Sequence, residues 1–335
     1  MQTVRRLVDV AFLVLGYKQC WLPTPEGWLR FWISEASSPE SKLMPAVFIH
    51  GVGLGAAPYL LFLEQIRRQR NATLVAVELP NCSRSHYQPM MPSAASFRDV
   101  VERMLQEQLG ILEPAKYVLL GHSLGTDFCS MIMNDPRLAE GDSILRPARV
   151  VLLDAICFGH EVAAAHRLPF WTFQEAVENH KGKSLASLPL ALAILCLVIR
   201  DEHNQEATKR AVVPGPDVVF RSPPELLRRC PTLVCLSGND AALPAWQIRD
   251  YIRVHFPDIE VRMDPGFEHG GFLMPWLPSW QTRSYLQTLL RFLETGTSCL
   301  PRTASHIVED THMSMQLRGL VADGEGPPLR QKSRP

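Results

Sequence analysis

The 335-residue chain lacks four features that would each indicate a particular class of protein. Lysine plus arginine and aspartate plus glutamate both total 34, so the net charge is zero and nothing points to a nucleic-acid partner. The eight cysteines form no C-x-x-C pair, which favours free thiols in a reducing compartment over a disulfide framework or a zinc site. No apolar run reaches the roughly 18 to 20 residues of a membrane-spanning helix. No internal repeat is present.

The histidines between residues 155 and 228 do not have the spacing of metal ligands. We interpret them as surface or core residues of that region: His160, His166, His180 and His203. The sequence therefore predicts no metal site.

The N-terminus resembles a signal peptide only superficially. Arg5 and Arg6 precede the apolar stretch 7–15, but Asp9 interrupts it and no small-residue cleavage site follows. We expect a helix that lies on the core or on a membrane surface. Together with the free thiols, this predicts a cytoplasmic protein and leaves peripheral membrane contact and the oligomeric state open.

Strand-like and helix-like segments alternate along most of the chain. Apolar runs typical of strands lie at 27–34, 44–50, 72–79, 117–120, 149–154, 232–237 and 259–263. Helical spacing is found at 56–70, 93–110, 244–256 and 277–295. This alternation predicts an α/β fold, in which helices cover both faces of a mostly parallel sheet.

The alternation stops between residues 155 and 228, which predicts an inserted helical cap. Within it, the apolar run 185–199 is either a buried cap helix or a lid that lines an acyl pocket or touches lipid. After residue 296, Gly, Pro and charged residues predict a disordered tail. The predicted organisation is an N-terminal segment (1–26), a core in two parts (27–154 and 229–295), the cap (155–228) and the tail (296–335).

The most specific motif is Gly121-His122-Ser123-Leu124-Gly125, which lies between an apolar strand and a helix. Strand, Gly-x-Ser-x-Gly and helix, in that order, form the context of a nucleophile elbow, where a strained turn lifts the serine hydroxyl above the sheet. Glycine is needed on either side because neighbouring chain passes too close for a side chain. The motif predicts that Ser123 is a nucleophile; the alternative is an ordinary strand-to-helix turn.

Two later loops carry the groups that would activate this serine. Asp240 follows the strand at 232–237 and His269 follows the next, so both lie at the edge where open α/β sheets bind ligands. An imidazole must take the proton of the hydroxyl, and a carboxylate must orient the ring. We predict a triad of Ser123, Asp240 and His269. Asp154 is the alternative acid, or else a carboxylate that fixes the local loops.

The loop after the strand at 44–50 would supply an oxyanion hole. Backbone N–H groups of Val52 (or Gly53) and Leu124 are predicted to stabilise the negative oxygen of an acyl-transfer intermediate, and the His50 ring would brace this loop.

The same loop also matches a dinucleotide fingerprint, Gly51-x-Gly53-x-x-Ala56, with Glu78 about twenty residues further on. A nicotinamide-dependent oxidoreductase is the least favoured alternative, because it leaves the Gly-x-Ser-x-Gly motif unexplained.

In sequence, these motifs resemble the α/β-hydrolase superfamily over residues 28–295. Residues 48–55 (FIHGVGLG) and 77–81 (VELPN) further resemble a fungal and algal branch of small serine hydrolases. The resemblance implies that Ser123 is the nucleophile, Asp240 the acid and His269 the base, with a cap that selects the substrate. We expect hydrolysis of an apolar carboxylic ester, without cofactor or metal. A small-molecule receptor with little turnover and an acyltransferase or cyclase are alternatives on the same fold.

Overall fold

The computed structural model describes residues 2–38, 41, 43–52, 55–80, 90–166, 217–240, 243–273 and 280–298. Gly53, most of the predicted cap with its apolar run 185–199, and the predicted tail from residue 299 lie outside these ranges. Within them, eight strands form one sheet: β1 (Lys18–Thr24), β2 (Gly27–Ser34), β3 (Ala46–Ile49), β4 (Leu74–Glu78), β5 (Val118–His122), β6 (Arg149–Leu153), β7 (Thr232–Ser237) and β8 (Glu260–Asp264).

The α-helices of the described residues are α1 (Gln2–Val14), α2 (Leu60–Arg70), α3 (Ala94–Leu109), α4 (Gly125–Met133), α5 (Arg137–Glu140), α6 (Ile156–His166), α7 (Pro224–Arg229), α8 (Ala245–His255) and α9 (Trp280–Thr295). Two 3₁₀ turns, Ala57–Tyr59 and Gly271–Leu273, also flank the site described below.

The sheet has the strand order β1-β2-β4-β3-β5-β6-β7-β8. β2 pairs antiparallel with both β1 and β4, whereas β4, β3, β5, β6, β7 and β8 run parallel to one another. Parallel strands end at the same edge, so the loops after β3, β5, β6, β7 and β8 lie side by side there. The predicted fold class is confirmed.

Both faces of the sheet are buried, which explains why its central strands are apolar throughout rather than alternating. In β3, Ala46 and Phe48 join one hydrophobic cluster, and Val47 and Ile49 join the other. The first cluster includes side chains of α1, α2 and α9, and the second those of α3, α4, α6 and α8. Helices therefore pack on both faces and hold the strand ends in register.

Strand β1 is not among the predicted strands, so the strand predicted first, at 27–34, is the second one. β1 pairs with β2 from Lys18 opposite Ile33 to Thr24 opposite Gly27. Its sequence includes Lys18, Gln19 and Pro23, which weaken a strand pattern. Proline is tolerated here because β1 is an edge strand.

Helix α1 lies on the core, which is one of the two places predicted for it. Phe12 is fully buried and stacks on Trp32 with ring centroids 4.7 Å apart, and Arg30 donates to Asp9 over 2.9 Å. The outer side chains of Val10 and Val14 are exposed. No helix among the described residues is long and apolar enough to cross a membrane. Contact with a membrane surface stays a prediction.

The described cysteines are free thiols, and four of these five are buried: Cys129, Cys157, Cys230 and Cys235, with Cys20 partly exposed. His160 is also buried, and its Nε2 lies 3.2 Å from both carboxylate oxygens of Asp127. This pair joins α4 to α6 in the core.

Candidate active site

The elbow between β5 and α4 holds Ser123 in the left-handed backbone region, with φ of +51°. A Cβ on Gly121 would lie 2.5 Å from the Cys129 sulfur, and one on Gly125 would collide with the carbonyl oxygen of Ile49. The steric reason predicted for both glycines therefore holds. The turn stores strain that is typical of functional sites, and it leaves the Ser123 side chain partly exposed.

The structure brings together the three side chains predicted as a triad. Ser123 Oγ lies 3.0 Å from His269 Nε2, and His269 Nδ1 lies 2.6 Å from Asp240 Oδ2. The backbone N–H of Leu243 donates to the other Asp240 oxygen over 3.0 Å and so holds the carboxylate in place. With its proton on Nδ1, directed at Asp240, the ring presents Nε2 as the acceptor for the serine proton.

Two carboxylates control the protonation of His269. Burial alone would lower its pKa, but the negative charges of Asp240 and Asp154, with the hydrogen bond to Asp240, outweigh burial and raise the pKa to about 9. The site therefore favours the imidazolium, the form that arises when the ring takes a proton from serine.

Asp154 occupies the position of a loop brace. It has φ of +45° at the end of β6 and is almost fully buried. Its oxygens accept from the N–H of Ser237 at 2.8 Å, the hydroxyl of Ser237 at 3.1 Å and the N–H of Gly270 at 2.7 Å. Burial would raise the pKa of Asp154, but His122, His269 and the Gly270 N–H together lower it.

Among the described residues, one group of acidic and histidine side chains is close enough together to hold a metal ion. One donor atom from each of Asp154, Asp240 and His269 lies within 4.8 Å of the others. The hydrogen bonds just described already engage all three. The arrangement is suited to proton transfer at Ser123.

The loop after β3 approaches the nucleophile closely. A Cβ on Gly51 would lie 2.9 Å from the Cβ of Ser123, so only glycine fits between this loop and the elbow. Among the described residues, neither the N–H of Val52 nor that of Leu124 donates a hydrogen bond. Both N–H groups are thus free to bind an oxyanion, as the predicted oxyanion hole requires.

The His50 ring holds this loop in place. Its Nδ1 lies 2.6 Å from the Gly51 carbonyl oxygen, and the N–H of Leu79 donates to Nε2 over 2.9 Å. Because Nε2 accepts, the proton is on Nδ1. Burial lowers the pKa of His50, which keeps the ring neutral in this arrangement.

The acidic residue of the dinucleotide fingerprint is engaged in the core. Glu78 is fully buried and accepts from Trp32 Nε1 at 3.1 Å and from the N–H of Ala56 at 3.3 Å. It also pairs with buried Arg30 at 3.4 Å. Its carboxylate is therefore not placed to bind a ribose.

Two polar side chains of the site, Tyr59 and His122, are not among the predicted residues. Tyr59 Oη accepts from the N–H of Gly51 at 3.0 Å and lies 2.7 Å from His122 Nδ1. His122 directly precedes Ser123, so its buried polar ring could have been questioned from the motif. Tyr59 had no such signal, because it lies 63 positions away from its partner.

Comparison with known proteins places the chain in a family. Residues 46–275, more than half of the sequence, match the model of the alpha/beta hydrolase family, and the chain belongs to that family. No curated protein matches it.

Solved structures with the same fold include several esterases. A hyperthermophilic esterase from Pyrobaculum calidifontis superposes with a TM-score of 0.57 at 15% identity, covering 89% of this chain and 92% of the other. Carboxyl esterase 2 of the fungus Tuber melanosporum gives 0.53 at 16% identity, covering 84% and 86%. A carboxylesterase of Bacillus subtilis gives 0.51 at 16% identity, covering 86% and 97%. At these identities the likeness shows the fold alone.

Proposed function

We propose that the chain is a serine hydrolase that cleaves carboxylic esters through an acyl-enzyme. The observation that carries this proposal is the hydrogen-bonded line from Ser123 Oγ through the His269 ring to Asp240, with distances of 3.0 and 2.6 Å. Nucleophile, base and orienting acid have the chemistry and the order along the chain that acyl transfer on this fold requires.

Ser123 Oγ attacks the ester carbonyl carbon while its proton passes to His269 Nε2. The carbonyl oxygen takes the electron pair and becomes an oxyanion, which the N–H groups of Val52 and Leu124 stabilise. His269 then gives its proton to the leaving alkoxide oxygen, and the acyl group stays on Ser123. Water, deprotonated by His269, attacks the acyl-enzyme, and collapse of the second intermediate releases the acid.

For the substrate, we propose an apolar carboxylic ester. The esterase names of the structural neighbours support the reaction class, and the apolar run 185–199 of the sequence supports an apolar acyl group. From the similarity of residues 48–55 and 77–81, we also propose that the chain is related to the fungal and algal branch of small serine hydrolases. Rates with p-nitrophenyl esters of graded chain length would define the acyl group, because pocket depth produces an optimum.

A fluorophosphonate probe tests the nucleophile directly. We expect it to label the folded wild-type protein and to leave Ser123→Ala unlabelled. Ser130→Ala is the matched control, since Ser130 lies on the same helix but is buried and donates to Thr126. This control should label like the wild type.

Two results would contradict the hydrolase. If folded wild-type protein stays unlabelled and a ligand raises its melting temperature without turnover, the receptor alternative replaces it. If the acyl group passes to an added alcohol in preference to water, product analysis would instead indicate acyl transfer.

A further inference from the structure

Three buried polar side chains lie behind the site but have no role in the steps above. Tyr59, His122 and Asp154 have exposed fractions of 4%, 4% and 1%. Buried polar groups are mostly hydrogen-bonded, and these three contact one another and the two loops of the site, so their arrangement is a specific feature of the site.

The hydrogen-bond directions at Tyr59 and His122 follow from one fixed donor. The backbone N–H of Gly51 can only donate, so Tyr59 Oη accepts from it and directs its own proton to His122 Nδ1. His122 then carries its proton on Nε2, which lies 3.5 Å from Asp154 Oδ2, a close electrostatic contact rather than a hydrogen bond. Burial, together with the nearby His269, lowers the pKa of His122 and keeps the ring neutral.

This series of contacts ends at two loops, and the proposed reaction needs both of them. Gly51 directly precedes Val52, the predicted oxyanion donor. At the other end, Asp154 accepts from the N–H of Gly270, which directly follows His269. The ring of His122 also lies against that loop, since its centroid is 5.1 Å from that of His269. Three hydrogen bonds and one electrostatic contact therefore join the oxyanion loop to the base loop.

We propose that Tyr59, His122 and Asp154 form a positioning relay that fixes the oxyanion loop relative to the His269 loop. This inference rests on the proposed hydrolase and names residues that support it without contacting substrate. Because the relay orders groups that act in the transition state, its loss lowers kcat and leaves KM nearly unchanged.

Tyr59→Phe removes the hydroxyl that links the N–H of Gly51 to His122 and keeps the ring. We expect kcat for a p-nitrophenyl ester, and the rate of fluorophosphonate labelling, to fall about tenfold to a hundredfold. KM should change less than about twofold. Tyr117→Phe is the matched control, because Tyr117 is equally buried and its hydroxyl donates to Leu145 over 2.6 Å, away from the site. This control should lower stability and leave kcat near the wild-type value.

The position of the proton on the His122 ring is a second measurement. A purely structural role for the three side chains would not determine it. Nitrogen NMR of histidine-labelled wild-type protein should show His122 neutral, with its proton on Nε2, and Tyr59→Phe should shift the Nδ1 signal. His122→Asn retains an acceptor near the position of Nδ1 and should retain more of kcat than His122→Leu.

The outcomes separate this inference from the proposed function. If the wild type labels at Ser123 but Tyr59→Phe matches Tyr117→Phe in kcat, the relay is wrong and the hydrolase stands. A proton on His122 Nδ1 would also overturn the relay. If the wild type does not label at all, both proposals are wrong.

Discussion

Two hydrogen-bonded histidine–aspartate pairs, one at the sheet edge and one in the core, have different surroundings. Asp240 and His269 meet at the sheet edge over 2.6 Å, with the His269 side chain 28% exposed. Asp127 and His160 meet in the core over 3.2 Å, with the His160 side chain 3% exposed. The first pair extends to Ser123 at 3.0 Å, whereas the second joins α4 to α6.

The comparison shows that pairing alone does not make a histidine a base. His269 has an elevated pKa of about 9 because two carboxylates face it, and its second nitrogen meets a hydroxyl on a strained turn. At the other pair, burial dominates and raises the pKa of Asp127. Three features distinguish the edge pair: the solvent access of His269, the Ser123 hydroxyl beside it and a second carboxylate, Asp154. Mutation can remove each of them separately.

The largest expected effect comes from removing the imidazole of the edge pair. His269→Gln should lower kcat/KM for ester hydrolysis by roughly 10⁴- to 10⁶-fold, because no group remains to accept the serine proton. Steady-state kinetics on p-nitrophenyl esters, with circular dichroism to confirm folding, measures this loss.

His160→Gln is the matched control for this experiment. It should keep kcat/KM within about threefold of the wild type and lower the free energy of unfolding by about 1 to 3 kcal/mol, since buried Asp127 loses its partner. Equal losses of activity in the two variants would erase the distinction between the pairs.

Asp240→Asn should have the next largest effect. The amide cannot hold the proton on Nδ1 in the same way or stabilise the imidazolium, so kcat/KM should fall by about 10³- to 10⁴-fold. Fluorophosphonate labelling of Ser123 should slow in parallel. Near-wild-type kinetics would show that Asp154, the alternative acid, orients His269 instead.

The fold could be predicted from sequence because its signals are local. Apolar runs mark buried strands. A glycine that follows a helical pattern predicts the end of the helix, and Gly110, with φ of +63°, ends α3 in this way. Strand β1 could not be predicted in this way, because an edge strand tolerates Pro23 and polar residues. Only its pairing with β2 makes this segment a strand.

The candidate site was predictable only where its residues lie in loops that directly follow strands. Ser123, Asp240 and His269 each do so, and parallel strands bring such loops to one edge. Tyr59 has no comparable signal, because it lies in a 3₁₀ turn before α2 and meets His122 only through packing of α2 on the sheet. Side-chain contacts of this kind depend on tertiary packing, which sequence periodicity does not encode.

The elevated pKa of His269 predicts an alkaline pH profile. Only the neutral ring accepts the serine proton, and a raised pKa means that the ring loses its own proton at higher pH than an ordinary histidine. We expect kcat/KM to rise about tenfold per pH unit below a midpoint near 9, and so roughly a hundredfold from pH 7 to the plateau. A midpoint near 6.5 would contradict the two-carboxylate environment.

The smallest effect tests the second carboxylate alone. Asp154→Asn removes the weaker of the two negative charges that raise the pKa of His269, so the midpoint of the pH profile should move down but stay above that of an ordinary histidine. The amide oxygen can still accept from Gly270, so the plateau value of kcat/KM should fall only a few-fold. Asp135→Asn is the matched control, since Asp135 is also buried but pairs with Arg137 and is not among the charges that shift the pKa of His269, so its midpoint should equal that of the wild type. An unchanged midpoint in Asp154→Asn would mean that Asp240 alone sets the protonation of the base, and Asp154 would then act only as a brace for the loops after β7 and β8.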